Sequence, residues 1–243
     1  MARRVQLSLL PGIRARIGPL VIAGSYMPMA EVGGDLYDYS PLSPGAIRIF
    51  IADATGHGVQ AALVTMLIKG AYDRLKGLSV PPGEFLVRLN REIIGQYGSL
   101  TMFFTCAVAD VDSAAGELRF ASAGHPSQYL CAADGIRGLP HTGMMLGLQI
   151  GAGFETVSCP WTRDSRLVLL TDGLNEQFNE RHEEFGEERV RGILAAGERL
   201  GPEALARELC ARMDEFVGDG RKQDDMTLLV IEEADRPSGN REV

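Results

Sequence analysis

Four aspartates in four short, separated contexts hold most of the chemistry visible in this sequence. They are Asp35 in Gly33-Gly34-Asp35, Asp53 in Ile51-Ala52-Asp53-Ala54-Thr55-Gly56-His57-Gly58, Asp172 in Leu170-Thr171-Asp172-Gly173, and Asp224 in Gln223-Asp224-Asp225-Met226-Thr227. At least three of them stand where an apolar run meets a glycine-rich turn or another polar break, so a strand ends there and presents the side chain at the rim of a sheet. Carboxylates gathered at one rim, with no cysteine cluster or paired histidines beside them, suit hard cations such as Mg²⁺ or Mn²⁺. Two such ions about 3.5–4 Å apart share a bridging carboxylate and a bridging water, and they bring that water's pKa toward neutrality. The pattern points to a two-metal hydrolase that attacks phosphorus with activated water and needs no covalent intermediate. Aspartate before glycine also makes ordinary turns, and Asp134-Gly135 and Asp219-Gly220 are assigned to turns.

The elements that must position these carboxylates follow from apolar periodicity. Residues 2–10 read as a short helix stopped by Pro11, too short to hold itself in water, so it must pack on the body, on a partner, or continue a longer helix. Strands are expected over 19–27 and 46–52, the second alternating through Ile47, Ile49 and Ile51. Asp35 and Asp53 then lie on neighbouring strands joined by a proline-containing loop. Helical spacing of Leu63, Met66, Leu67 and Ala71 predicts a helix over 59–75, and a second helix after Pro81-Pro82-Gly83 carries Phe85, Leu86, Leu89, Ile93 and Ile94. Residues 103–111 and 117–121 read as a hairpin, and 128–132 and 153–158 as further strands with Asp134-Gly135 as a turn between them. The Leu-Val-Leu-Leu run within 166–171 reads as a strand buried on both faces. Helices over 187–196 and 202–217 and a strand over 226–231 close the chain. The expected fold is α+β, an α-β-β-α sandwich of two mainly antiparallel sheets flanked by helix pairs, with residues 1–12 as a helical linker or switch, 13–233 as the domain, and 234–243 as a polar tail.

Composition bounds the function. At 243 residues with 45% hydrophobic and 23% charged residues, the chain has the make-up of a globular domain. The net charge of −8 argues against a nucleic-acid or anionic-membrane partner, since neither finds a basic stripe to dock on. Cys106, Cys131, Cys159 and Cys210 form no C-x-x-C pair and read as buried free thiols of a reducing compartment. Pro11 and Arg14 interrupt any signal-peptide core, and no apolar run reaches a membrane span. The expected localisation is cytoplasmic.

Five motifs in order strengthen the reading of the aspartates. They are Glu31-Val32-Gly33-Gly34-Asp35-Leu36-Tyr37-Asp38, Ile51 to Gly58, Ala121-Ser122-Ala123-Gly124-His125-Pro126, Leu169-Leu170-Thr171-Asp172-Gly173-Leu174-Asn175-Glu176, and Gln223 to Thr227. Together they resemble the metal-dependent protein phosphatases of the type 2C (PPM) superfamily, in the bacterial SpoIIE-like, RsbU-like branch, over roughly residues 15 to 232. The resemblance implies dephosphorylation of phosphoserine or phosphothreonine with two Mn²⁺ or Mg²⁺ ions. It implies that Asp53 bridges the metals, that Asp35 borders them on one side, that the Ala54 carbonyl ligates one ion, and that Asp172 and Asp224 complete the second ion's shell. Asp225, adjacent to Asp224, is assigned a supporting or turn role.

One departure bears on mechanism. Eukaryotic relatives are thought to carry a proton-donating histidine two residues after the bridging aspartate, where this chain has Thr55. His57, His125 and a metal-bound water stay open as the acid, and no arginine identifies itself as a phosphate clamp. By resemblance the substrate is a phosphorylated anti-sigma-factor antagonist of a partner-switching pathway. A regulator acting in trans and a homodimer through the N-terminal helix are also expected. The competing readings are a catalytically idle phosphoprotein-binding scaffold and a phosphatase of small phosphate esters.

Overall fold

Side-chain alternation along the central strands sorts the apolar residues into three layers, and the architecture follows from that sorting. The computed structural model of the chain describes residues 1–234 apart from His57, Thr101, Ser127 and Arg221. One sheet has the order β3 (Asp35–Ser43), β4 (Ala46–Ala54), β5 (Phe104–Asp112), β6 (Glu117–Ala123) and β9 (Val157–Pro160). The other has the order β1 (Arg14–Ile17), β2 (Leu20–Met27), β11 (Met226–Glu233), β10 (Arg166–Leu170), β7 (Gln128–Ala132) and β8 (Gly135–Leu139). Every pairing between these strands is antiparallel.

Along β4, Ile47, Ile49 and Ile51 enter the core between the sheets. Phe50, Ala52 and Ala54 point the other way, under helices α2 (Gly58–Leu75) and α3 (Pro82–Tyr97). β10 and β11 repeat the division: Leu167, Leu169, Leu229 and Ile231 face the inner core. Val168, Leu170, Leu228 and Val230 lie under α5 (Gly186–Ala196) and α6 (Pro202–Val217). The result is helix pair, sheet, sheet, helix pair, as the periodicity requires when both faces of each sheet must be covered.

Each outer helix pair is tied to its sheet by one buried arginine. Arg48 of β4 pairs with Asp110 at 2.7 Å and donates to the carbonyls of Leu78 and Val80, between α2 and α3. Arg166 of β10 pairs with Glu232 at 2.6 Å and donates to Gly197 and Leu200, between α5 and α6. Both guanidiniums meet a carboxylate and backbone acceptors, which is what makes their burial tolerable.

The structure departs from the sequence reading in several places. β1 and β8 are additional strands, so Asp134-Gly135 turns β7 into β8 rather than leading toward the strand expected over 153–158, which forms later, at Val157–Pro160. On α2 the buried face is Ala61, Ala62, Thr65, Ile68, Lys69, Ala71 and Tyr72, and Leu63 is exposed. Lys69 is buried because Asp38 of β3 pairs with it at 3.0 Å, an ion pair that apolar periodicity could not reveal. Cys106 is buried as expected, whereas Cys131, Cys159 and Cys210 are part-exposed; all four are free thiols. The N-terminal helix α1 (Ala2–Leu9) packs on α2. Among the described residues no helix is long and apolar enough to cross a membrane. Of the expected tail, residues 235–243 lie outside the described residues.

Candidate active site

The antiparallel register of β3 and β4 sets Asp35 directly opposite Asp53, so two of the four aspartates meet through one strand pair at one end of their sheet. The other two arrive from the second sheet. Asp172 follows β10 as the first residue of the short helix α4 (Asp172–Asn175), a favourable place for a carboxylate because the turn's free N–H groups face it. Asp224 lies two residues before β11. Asp53 feels the charges of Asp35, Asp172, Asp224 and Asp225, which brings all of these carboxylates into one electrostatic neighbourhood.

Threonines lock Asp35 in place. Its Oδ2 accepts from Thr171 Oγ1 at 2.8 Å and Thr227 Oγ1 at 2.6 Å, so hydroxyls from the second sheet hold a carboxylate of the first. Thr171 and Thr227 also bond each other through the Thr227 N–H and the Thr171 hydroxyl at 3.0 Å. The sequence alone assigns neither threonine a role, although each sits inside one of the five motifs. Their partner lies 136 and 192 residues away, and no local pattern shows such a contact.

Asp224 and Asp225 have different surroundings. Asp225 is buried and accepts from the backbone N–H groups of Met29 at 2.6 Å and Gly34 at 2.5 Å. Its carboxylate thus supports the loop leading into Asp35, while Asp224 stays partly exposed at the rim. The Ala54 carbonyl lies against Gly34: a Cβ on Gly34 would stand 2.8 Å from that oxygen. Ala54 N–H in turn donates to the Gly34 carbonyl at 3.0 Å.

Burial and mutual repulsion raise the proton affinity of this cluster. Asp35 and Asp53 are pushed well above the usual carboxylate range, first by desolvation and then by neighbouring carboxylates, with the two threonine hydroxyls pulling Asp35 part of the way back. Asp172 is raised to about 6 by burial, by Asp224 and by Glu176.

The family described as Stage II sporulation protein E (SpoIIE) matches residues 43–233 of this chain. The chain belongs to the SpoIIE family. Among its relatives is the phosphoserine phosphatase RsbU of Bacillus subtilis (strain 168), 28% identical over 244 residues, covering 95% of this chain and 68% of RsbU. Phosphoserine phosphatase RsbP of the same strain is 27% identical over 180 residues, covering 72% of this chain. The chain thus spans 44% of the length of RsbP. The solved SiaA-PP2C domain of Pseudomonas aeruginosa superposes with a TM-score of 0.84 at 26% identity, covering 95% of this chain and 94% of that one. The sandwich of the SpoIIE-family chain is therefore a PP2C-type fold. The family match begins after Asp35, so that residue's place in the cluster rests on the strand register and its hydrogen bonds.

Thr55, at the position of the relatives' histidine, and the two histidine candidates for the acid are placed as follows. Thr55 donates its hydroxyl to the Phe103 carbonyl at 3.1 Å. His125 is fully buried, with Nδ1 2.8 Å from Thr105 Oγ1, and burial drives its pKa down to about 3, so it is neutral near pH 7. His57 lies outside the described residues.

The donor set fits hard divalent cations. Oδ1 of Asp35 and Oδ1 of Asp172 are buried without a hydrogen-bond partner. Among the described residues no three His, Cys, Asp or Glu side chains stand close enough to form a ready-made cage. A cation among these carboxylates would offset their mutual repulsion.

Proposed function

We propose that this chain is a metal-dependent protein serine/threonine phosphatase. Water attacks the phosphorus of a phosphoserine or phosphothreonine, the bond to the side-chain oxygen breaks, and the products are the free hydroxyl and inorganic phosphate. The observation that carries this reading is the meeting of Asp35 and Asp53 from one sheet with Asp172 and Asp224 from the other, in a chain of the SpoIIE family. Asp53, Asp172, Asp224 and the Ala54 carbonyl would hold two Mn²⁺ or Mg²⁺ ions, with Asp35 bordering them. Such ions, when bound, supply the Lewis acidity that makes water nucleophilic near neutral pH and screens phosphate charge. The chain's own part is to fix the oxygens: Thr171 and Thr227 orient Asp35, and Asp225 steadies Gly34. His125, buried and neutral, keeps its place as a packing residue and does not deliver the leaving group's proton.

A protein substrate, rather than a small ester, is supported by the rim. Leu100 and Met144 are exposed on the segments that flank Phe103–Phe104, which borders the Ala54 end of β4: Leu146 N–H donates to the Phe104 carbonyl at 3.0 Å, and Thr55 N–H to the Phe103 carbonyl at 3.4 Å. An exposed apolar rim beside a charged centre suits a macromolecule. By resemblance to the partner-switching phosphatases we take the substrate to be a phosphorylated anti-sigma-factor antagonist. A second copy or a regulator in trans would meet the chain at α1, where Val5 and Leu7 are exposed. A panel of one phosphoserine protein, one phosphotyrosine protein and a set of nucleotides, each with Mn²⁺, tests the reading. Phosphate release confined to the phosphoserine protein is expected, and release confined to nucleotides would overturn it.

A further inference from the structure

We infer that Gln6, on the N-terminal helix, is a positioning residue for the cation site: its amide fixes the peptide unit of Gly33 and so sets where Asp35 and the Ala54 carbonyl stand. This rests on the metal-dependent reading above. Gln6 is the buried residue of α1, 5% exposed, while Val5 and Leu7 on either side of it are open to solvent. A helix that buries a glutamine while Leu7 stays exposed is held in part by that glutamine's hydrogen bonds.

Both ends of the amide are used. Nε2 donates to the Gly33 carbonyl at 2.6 Å, and Oε1 accepts from the Gly33 N–H at 3.1 Å. Nε2 also reaches Thr65 Oγ1 on α2 at 3.2 Å, and that hydroxyl donates to Ala62 O at 2.8 Å. Thr65 therefore acts toward Gln6 as an acceptor, which places the amide nitrogen, not its oxygen, on the Thr65 side. From the other side Asp225 accepts the Gly34 N–H, and a Cβ on Gly33 would stand 2.6 Å from the Asp225 carboxylate. Two glycines in succession are the most pliable stretch a backbone has. Here they are gripped from both sides just before Asp35, with Gly34 against the Ala54 carbonyl. Groups that orient a ligand without touching the ion typically change metal affinity by about 10- to 100-fold when removed.

Calorimetric titration of Mn²⁺ into the full chain tests this, comparing wild type with Gln6→Ala, Thr65→Val and Leu7→Ala. Gln6→Ala is expected to weaken Mn²⁺ binding by about tenfold or more, and Thr65→Val by a smaller, measurable factor, while Leu7→Ala stays within about twofold. Gln6→Ala binding Mn²⁺ as wild type does would overturn the inference. If Gln6→Ala fails to fold, unchanged binding in Thr65→Val overturns it instead. A wild type that takes up no Mn²⁺ removes the cation site itself and the role of Gln6 with it, a failure recognised because all the folded proteins then behave alike.

Discussion

Replacing Asp172 by asparagine should stabilise the metal-free protein, and by an amount that depends on pH. Burial, Asp224 and Glu176 raise the Asp172 carboxyl from 3.8 to about 6. A carboxyl with a raised folded-state pKa stabilises the fold while protonated, and that contribution is lost as pH rises from about 4 through 6. About two pK units at 1.36 kcal/mol each give a penalty of about 3 kcal/mol at pH 8, nearer 2 once the part-exposed position is allowed for. The asparagine side chain carries no charge and has nearly the same shape, so the variant should escape that penalty. For a domain of this size the gain corresponds to roughly 4–12 °C in Tm. It should shrink to about half at pH 5 and nearly vanish close to pH 4. Thermal melts or urea unfolding in chelator at these pH values measure it. Saturating Mn²⁺ should reverse the order, since a ligand at 100 times its Kd adds about 2.7 kcal/mol to whichever protein binds it. A variant no more stable than wild type at pH 8, or a gain independent of pH, would refute the reasoning.

Two further predictions concern the groups around the carboxylates. Gly34→Ala places a Cβ 2.8 Å from the Ala54 carbonyl and 3.2 Å from the Ala61 Cβ. It should cost about 1–3 kcal/mol in urea unfolding and raise the Mn²⁺ concentration needed for half-maximal turnover; an unchanged Mn²⁺ requirement would show that this backbone approach does not matter. Thr227→Val removes a hydroxyl that lowers the proton affinity of Asp35. Asp35 then keeps its proton to higher pH, so the acid limb of the activity profile should move up by on the order of one pH unit, and a fixed limb would argue against the bond's importance.

Much of the site was legible because its chemistry is local. At least three of the aspartates announce themselves at a break beside an apolar run, and the isoleucine alternation of β4 is enough to place Asp53 at a strand end. What escaped depends on partners distant in sequence. Thr171 and Thr227 matter only because the two sheets stack and bring them to Asp35. Gln6 is an ordinary helix residue until Gly33 arrives 27 positions later. The buried face of α2 was misplaced because Lys69 and Thr65, polar by type, are drawn inside by Asp38 and Gln6. β1 and β8 are short edge strands of four and five residues, and they acquire their order from the neighbours they pair with, β2 and β7.

Phosphate release from a phosphoserine protein, with Mn²⁺ and with chelator, on wild type and Asp53→Asn, tests the central claim most directly. Turnover that requires the metal and falls by at least about a hundredfold in the variant is the predicted result, since the lost cation contribution is several kcal/mol. Turnover that persists in chelator, or an Asp53→Asn protein as active as wild type, would contradict it.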